Sequence, residues 1–222
     1  MLWKITPLFA EWLADPDNFL FRASALSEGS VVLELGCGIS GLVGITLGPR
    51  IRRYVLSDQP YVARFVEKNL QENRSCMTGP TARPRARKEK HGPDKAAAVD
   101  HVQFTPLDWE ADQVTPLLTG VSGCQSFDAV IACDCIYNEQ LVDPLVQTCV
   151  DVCKLREAGG KPDDPPCVCI IAQQLRDPEI FEAWIKRFHA SFQVWRVPDD
   201  LLTVGLRSNS GFAVHAGVLR GG

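Results

Sequence analysis

Residues 31–41, Val-Val-Leu-Glu-Leu-Gly-Cys-Gly-Ile-Ser-Gly, constrain the fold of this chain more than any other segment. The apolar run before Gly36 predicts a buried parallel strand, and the residues after Gly41 predict a helix. Glycines between them allow a tight turn and a close approach to a ligand, which the helix N-terminus also faces. Dinucleotide dehydrogenases share this glycine pattern, so it does not identify the ligand, and a turn without a ligand stays open.

Strand-like and helix-like segments alternate along the rest of the chain. Short apolar runs predict strands, and apolar residues at helical spacing predict the helices between them. Two further strands end the chain, so the order predicts an α/β fold with a largely parallel sheet. The predicted strands are 31–35, 53–56, 102–107, 127–133, 167–172, 192–197 and 212–219, and the predicted helices are 7–14, 41–47, 61–73, 139–155 and 178–191.

The length of 222 residues suits one well-filled domain better than two, so we expect residues 1–222 to form a single domain. Segments at about 74–100 and 158–166 interrupt the alternation, and we expect both to be loop insertions. The first is rich in Lys and Arg but has no aromatic residues between them. A solvated loop is therefore favoured, while contact with RNA or an acidic partner stays open.

Charge and hydropathy exclude several classes of protein. A net charge of −4 gives no overall attraction to nucleic acid or anionic lipid, and no run of 18 apolar residues is present. The first residues lack the pattern of a signal peptide. Nine cysteines, an odd number, then favour free buried thiols over disulfides or metal ligands. We expect a monomeric protein without a metal, in the cytoplasm or alternatively the nucleus.

Two carboxylates accompany the glycine turn. Asp58 ends the next predicted strand, where a carboxylate can accept both ribose hydroxyls of an adenosine or can instead cap the following helix. Glu34 lies in an otherwise apolar strand, where an ionised group needs a cation or hydrogen-bond donors. The amino group of S-adenosylmethionine would supply that cation, whereas NAD has no equivalent group. A structural hydrogen bond to loop amides is the other interpretation of Glu34.

Three more candidate residues follow the third and fourth predicted strands. Ligands of open parallel sheets bind beyond the carboxyl ends of the strands, which places Asp134 and Tyr137 at the cleft. Trp109 follows the third strand, where its indole can pack beside an adenine ring or within the core. These positions are consistent with one binding site at the carboxyl edge of the sheet.

Four segments, in this order and spacing, together resemble the family 16 protein-lysine methyltransferases. The start of the chain, residues 2–7, and residues 134–139 most resemble fungal members that act on ribosomal proteins. The likeness covers most of residues 1–145 and continues weakly through the last strands. The four segments are Glu34-Leu-Gly-Cys-Gly-Ile-Ser-Gly-Leu42, Asp58, Leu107-Asp-Trp109 and Asp134-Cys-Ile-Tyr137.

The resemblance implies a Rossmann-like seven-strand methyltransferase sheet, mostly parallel with an antiparallel last strand. It implies S-adenosylmethionine as cofactor and a protein substrate that presents a lysine, with a ribosomal protein as one candidate. Neither a membrane nor nucleic acid is an expected partner. The family normally has more chain before Trp3, so one pocket wall is expected to be absent here. Cofactor-contacting positions correspond to Trp3, Gly36, Cys37, Gly38, Asp58, Trp109 and Cys133, and Glu34 joins them on the argument above.

The Asp-x-x-Tyr motif of the family matches Asp134 and Tyr137 at the methyl-transfer end. Asp134 is expected to hold the ε-amine by hydrogen bonding, with the carbonyl of Cys133 or Asp134 helping to orient it, and Tyr137 to form a channel wall. Three alternatives stay open. The first is an NAD-type dehydrogenase, although the sequence has no His or Lys pattern that would support hydride transfer, and the second is a methyltransferase of nucleic-acid bases, which often has Pro-Pro where this motif has Cys-Ile. The third is a catalytically silent binding protein with the same fold.

Overall fold

The alternation of strands and helices builds one central sheet. The computed structural model describes residues 2–77, 101–160 and 164–221. Within them, seven strands pair in the order β3-β2-β1-β4-β5-β7-β6. The strands are β1 (Val31–Leu35), β2 (Arg53–Asp58), β3 (Val102–Pro106), β4 (Ala129–Cys133), β5 (Val168–Gln174), β6 (Phe192–Arg196) and β7 (Phe212–Leu219).

Strand β7 alone reverses direction among these paired strands. It pairs antiparallel with β5 and β6, whereas the pairs from β3 through β5 are parallel. The predicted α/β sheet, mostly parallel with an antiparallel last strand, is therefore confirmed. Parallel neighbours bring the carboxyl ends of β1 to β5 to one edge, and the loops that follow these strands meet there.

Helices lie between the strands, and several of their bounds differ from the predicted ones. The predicted helix 7–14 begins at residue 5, the predicted helix 61–73 spans 63–72, and a short helix at 19–22 was not predicted. The predicted helix 139–155 begins as a 3₁₀ turn capped by Asn138, continues as an α-helix and ends at Gly159, inside the predicted insertion 158–166. Within the other insertion, 74–77 form a short helix and 78–100 lie outside the described residues. The helices are α1 (Ile5–Ala14), α2 (Phe19–Arg22), α3 (Leu42–Leu47), α4 (Ala63–Glu72), α5 (Arg74–Met77), α6 (Val142–Gly159) and α7 (Pro178–Ser191).

The strands separate two hydrophobic cores because alternate side chains point to opposite faces of a sheet. Val32 and Ile131 pack on the face covered by α1 and α3. Leu33 and Val130 pack on the face covered by α6 and α7. Both faces are thereby buried, and the carboxyl edge remains for the loops of a site. None of the described helices is long and apolar enough to cross a membrane.

Candidate functional site

The loops after β1, β2, β3 and β4 surround a cavity of about 230 Å³, here called the cleft. A larger cavity, of about 360 Å³, opens beside Cys153 and Cys167 near the amino end of β5, and no predicted site residue lines it. The predicted residues instead converge at the carboxyl edge. The cleft is lined by Trp3, Gly36, Gly38, Asp58, Trp109, Cys133, Asp134 and Tyr137, while Glu34 and Cys37 line a small adjoining cavity of about 30 Å³.

The glycine turn after β1 has two positions that need glycine for different reasons. Gly36 has φ of +68°, and a Cβ there would lie 2.6 Å from Cys135 Sγ and 3.2 Å from Trp109 Cζ2. A side chain at Gly36 would therefore be strained and would also overlap its neighbours. Gly38 has φ of +61° and no atom within 4 Å of a built Cβ. Its backbone faces open space in the cleft, where a ligand can approach closely.

Asp58 at the end of β2 holds this turn in place. Its Oδ2 accepts a hydrogen bond of 2.8 Å from the Gly38 amide, and its Oδ1 accepts one of 2.7 Å from the Gln59 amide. Helix α4 begins later and has no side-chain cap, so Asp58 does not cap it. A carboxylate has about four lone-pair sites, so each oxygen can still accept from a ligand hydroxyl.

Glu34 is buried, with 2% of its surface exposed, beside the glycine turn. Its Oε2 accepts a hydrogen bond of 2.9 Å from the Tyr54 hydroxyl. Burial, with a smaller contribution from the charge of Asp58, raises the pKa of Glu34 to about 8, although the Tyr54 hydrogen bond opposes this shift. No cation pairs with Glu34 in the part of the chain that the structure describes. The side chain is therefore a neutral acid near pH 7 that can ionise when a cation arrives.

Trp109 closes the cleft opposite the glycine turn. Its Nε1 is buried and has no hydrogen-bond partner among the described residues. A buried donor without a partner costs about 1–3 kcal/mol, so a ligand that accepts this hydrogen bond would be favoured. The thiols nearby are not nucleophiles, because burial raises the pKa of Cys37 and of Cys133. Cys133 Sγ instead contacts Thr6 Oγ1 at 3.8 Å.

The side chain of Asp134 is fully buried, and its backbone has φ of +63°. Oδ1 accepts hydrogen bonds from Gln173 Nε2 (3.1 Å), the Gln174 amide (3.1 Å) and Arg176 Nη1 (3.0 Å), and Oδ2 pairs with Arg176 Nη2. This differs from the expected arrangement, in which the carboxylate faces the acceptor amine. A buried carboxylate needs hydrogen-bond donors and a cation, and Gln173, Gln174 and Arg176 supply them, which explains the difference.

The main chain of Asp134 remains on the cleft side of this turn. No hydrogen bond to its carbonyl oxygen is present within the described ranges. A non-glycine residue with positive φ is strained, and such strain concentrates at functional sites. The turn at Asp134 can therefore offer a carbonyl acceptor, while the carboxylate fixes the conformation of the turn.

Three aromatic side chains form the mouth of the cleft. The exposed fractions are 47% for Trp3, 75% for Tyr61 and 58% for Tyr137. Partial burial raises the pKa of Tyr137, so its phenol stays protonated near neutral pH. The guanidinium carbon of Arg176 lies 5.0 Å from the centroid of the Trp3 ring. The mouth therefore presents ring faces and edges to an approaching substrate.

Sequence reasoning did not identify four residues of this site: Tyr54, Tyr61, Gln173 and Arg176. Gln173, near the end of β5, and Arg176, just after it, lie at the carboxyl end of an apolar strand, which is the same signal that indicates Asp134. Tyr61 lies shortly after Asp58 and could have been found in the same way. Tyr54 is buried within β2, and no local pattern distinguishes it from a core residue.

Comparisons with known proteins identify the family of this chain. The sequence matches the family model described as "Lysine methyltransferase" over residues 1–85 and 89–161. It is 28% identical over 207 residues to Ribosomal lysine N-methyltransferase 5 of Zygosaccharomyces rouxii, covering 84% of this chain and 63% of that protein. It is 33% identical over 198 residues to the protein of the same name from Saccharomyces cerevisiae strain YJM789, covering 67% and 53%. The chain thus spans about half to two thirds of these relatives.

A solved structure shares the fold at low sequence identity. The N-methyltransferase NodS from Bradyrhizobium japonicum WM9, in complex with S-adenosyl-L-homocysteine, superposes with a TM-score of 0.54 at 11% identity. The superposition covers 99% of this chain and 92% of NodS. The family match and the curated relatives confirm the resemblance drawn from the four motif segments.

Proposed function

Because this chain belongs to the lysine methyltransferase family, we propose that it transfers a methyl group from S-adenosylmethionine to the ε-amine of a lysine on a protein. The single observation that carries the proposal is the convergence of the glycine turn, Glu34, Asp58 and the Asp134–Tyr137 turn on one cleft. Fold alone would not indicate function, because similar sheets serve many activities.

The polar groups of the cleft suit S-adenosylmethionine. Glu34 is a buried acid that pairs with no cation among the described residues, and the ammonium of the cofactor would supply one. Asp58 can accept ribose hydroxyls. Trp109 Nε1 is a buried donor that has no partner in the described part of the chain, and Gly38 leaves open space for a ligand. When bound, the cofactor supplies an electrophilic methyl group on a sulfonium sulfur.

The protein must align the lysine nitrogen with that methyl group and receive the amine in its neutral form. Alignment of reacting groups contributes strongly to such displacements. A free lysine has a pKa near 10.4, so most of it is charged at neutral pH. We assign orientation of the amine to the carbonyl oxygens of Cys133 and Asp134, and the channel wall to Tyr137. We assign the released proton to water, and we assign no described residue of the cleft the role of general base.

The names of the relatives indicate a substrate and a place of action. Two of them are named as ribosomal lysine methyltransferases, so we propose a ribosomal protein as substrate and the cytoplasm as the place of action. We propose that the chain works as a monomer, with residues 1–222 forming one domain. An acidic net charge of −4 is compatible with a basic protein substrate.

The test is incubation of the protein with labelled S-adenosylmethionine and a cytosolic extract that contains ribosomes. Label on a lysine of a protein, identified by mass spectrometry, supports the proposal, and its absence with the Asp58→Ala variant links the label to the cleft. Label on nucleic acid instead would favour a base-modifying enzyme. Cofactor binding without any labelled product would favour a binding protein, and either of these results would contradict the proposed activity.

A further inference from the structure

Arg176, in the loop after β5, joins two walls of the cleft that are distant in sequence. Its guanidinium pairs with both oxygens of Asp134, at the turn after β4. The same guanidinium lies over the ring of Trp3, 5.0 Å from its centroid, and Trp3 precedes α1 and lines the cleft. A planar guanidinium can make a two-pronged ion pair at its edge and stack on an aromatic ring at its face, whereas an ammonium cannot do both.

We propose that Arg176 is a positioning residue of the methyl-transfer site, which fixes the spacing between Trp3 and the Asp134 turn and neutralises the Asp134 carboxylate beside the incoming amine. The inference rests on the proposed function for its second part only. The first part concerns the shape of the cofactor cleft and holds for any ligand bound there.

The burial of Asp134 makes its ion pair with Arg176 important for the structure of the turn. The Asp134 side chain is fully buried and that of Arg176 is 34% exposed, so the carboxylate depends on its protein donors for compensation. Gln173 and the Gln174 amide donate hydrogen bonds to it but carry no charge. Arg176 is thus the cation paired with Asp134 in the described structure. Trp3 is 47% exposed, and we infer that the Arg176 guanidinium lying over its ring holds that ring at the cleft.

Neutralisation matters for the chemistry because a free carboxylate favours the charged form of a nearby amine. An ammonium has no lone pair and cannot accept a methyl group. With Arg176 in place, the Asp134 charge is offset, and the amine loses its proton more readily. The other titratable groups lining the cleft are Asp58, Asp108, Glu110, Tyr61, Tyr137, Cys133 and Cys135, with Glu34 and Cys37 in the adjoining cavity.

The experiment compares Arg176→Ala and Arg176→Lys with Arg187→Ala as a matched control. Arg187 has a similar exposed fraction, 33%, and pairs with Asp143 at 2.7 Å between α6 and α7, outside the cleft. Calorimetry with S-adenosylhomocysteine measures the affinity of the cleft for a cofactor analogue, and it needs no protein substrate. We expect both Arg176 variants to bind about tenfold more weakly, corresponding to about 1.4 kcal/mol, and Arg187→Ala to bind as the unmodified protein does.

A pH profile of kcat/KM on the labelled lysine substrate distinguishes the neutralisation of Asp134 by Arg176 from the effect of Arg176 on the shape of the cleft. Arg176→Ala should shift the rise of the profile to higher pH, because Asp134 then favours the ammonium form of the substrate. Arg176→Lys should keep the original profile while retaining weak cofactor binding. A shape role alone would leave the profile unchanged in both variants, and that result would overturn the neutralising part of the proposal.

Trp3 variants keep the proposal testable if Arg176→Ala does not fold. Trp3→Ala leaves the Arg176–Asp134 pair intact and should weaken S-adenosylhomocysteine binding, whereas Trp3→Phe retains a ring face and should restore most of it. Unchanged affinity in Trp3→Ala would refute the joining role of Arg176. If the cofactor results hold but no lysine is labelled, the proposed substrate fails while the positioning role stands.

Discussion

The Tyr54 hydroxyl donates a 2.9 Å hydrogen bond to Glu34, and this is the hydrogen bond that the buried Glu34 carboxyl group makes within the described residues. One neutral donor does not offset the loss of hydration of a carboxylate, so the pKa of Glu34 is raised to about 8 by its burial. The Glu34 side chain is therefore protonated near neutral pH, next to the glycine turn.

The first prediction concerns stability without ligand. Because the folded protein raises the pKa of Glu34 to about 8 from an ordinary value of 4.5, the folded state holds this proton more tightly than the unfolded state. The free energy of unfolding should therefore fall as pH rises from about 4.5 to 8, by up to about 1.4 kcal/mol per pH unit from this group. Urea unfolding at pH 5 and pH 8 measures this change in the free energy of unfolding.

Glu34→Gln should remove that part of the pH dependence, so that the variant gains stability relative to the unmodified protein as pH rises. The matched control is Glu28→Gln, since Glu28 is an exposed glutamate. It should leave the pH dependence as it is. An identical pH dependence in Glu34→Gln and the unmodified protein would show that Glu34 does not hold its proton in the folded state.

The second prediction concerns S-adenosylmethionine affinity. Binding of its ammonium should favour ionised Glu34 and release a proton near pH 7, so affinity should increase with pH up to about 8. The increase is at most tenfold per pH unit for one proton. Calorimetry in buffers with different protonation enthalpies counts the released protons. The amino group of the ligand itself titrates near pH 7.7–8.0, so the comparison with Glu34→Gln isolates the protein's contribution; equal proton release in both would rule Glu34 out.

A third prediction uses the two glycines of the turn as a matched pair. Both Gly36→Ala and Gly38→Ala introduce a side chain at positive φ, which costs about 1–2 kcal/mol. Only Gly36→Ala also meets Cys135 Sγ at 2.6 Å, and such overpacking costs about 1–3 kcal/mol more. Gly36→Ala should therefore lower the free energy of unfolding further, and adding Cys135→Ala should restore part of it. Equal destabilisation by the two alanines would contradict the packing described here.

The sequence predicted the strands and the carboxyl edge well because those features depend on local pattern. Strand 31–35 and helix 178–191 have the predicted bounds, since their apolar periodicity is uninterrupted. Tyr54 could not be assigned to Glu34 in this way. Glu34 lies opposite Leu56 in the register of β1 and β2, and Tyr54 reaches it from two residues away on the same face. Register is a property of strand pairing, which one segment does not specify.

The role of Arg176 could not be predicted from the sequence for a related reason. Strand β5 pairs with β4 so that Ala172 lies opposite Cys133, and this places the loop after β5 beside Asp134. The contact joins residues about forty positions apart, and it depends on the order of strands in the sheet. The positive φ of Asp134 has no sequence signal either, because aspartate adopts that conformation only occasionally.

The fourth prediction is that Asp58→Ala weakens S-adenosylmethionine binding by about tenfold to several hundredfold. Hydrogen bonds to a charged acceptor contribute about 1.5–3 kcal/mol each, and ribose can make up to two of them. The variant also loses the acceptor of the Gly38 amide, so the glycine turn loosens. Asp17→Ala is the control, because Asp17 is an exposed aspartate that does not line the cleft. An unchanged dissociation constant in folded Asp58→Ala would remove Asp58 from the cofactor site.

The last prediction separates two roles of Asp134. If its carboxylate fixes the turn and its carbonyl orients the amine, Asp134→Ala should lower kcat more than it lowers cofactor affinity. Asp134→Asn keeps a side chain that tolerates positive φ but loses the charge that pairs with Arg176. Its kcat should therefore lie between those of the alanine variant and the unmodified protein. Asp134→Gly relieves the strain without restoring the ion pair, and it should be no more active than Asp134→Ala. Steady-state kinetics on the identified lysine substrate, with calorimetry for the cofactor, give both quantities. Full activity in Asp134→Gly would mean that the backbone conformation alone is needed, and that the buried ion pair with Arg176 has no part in methyl transfer.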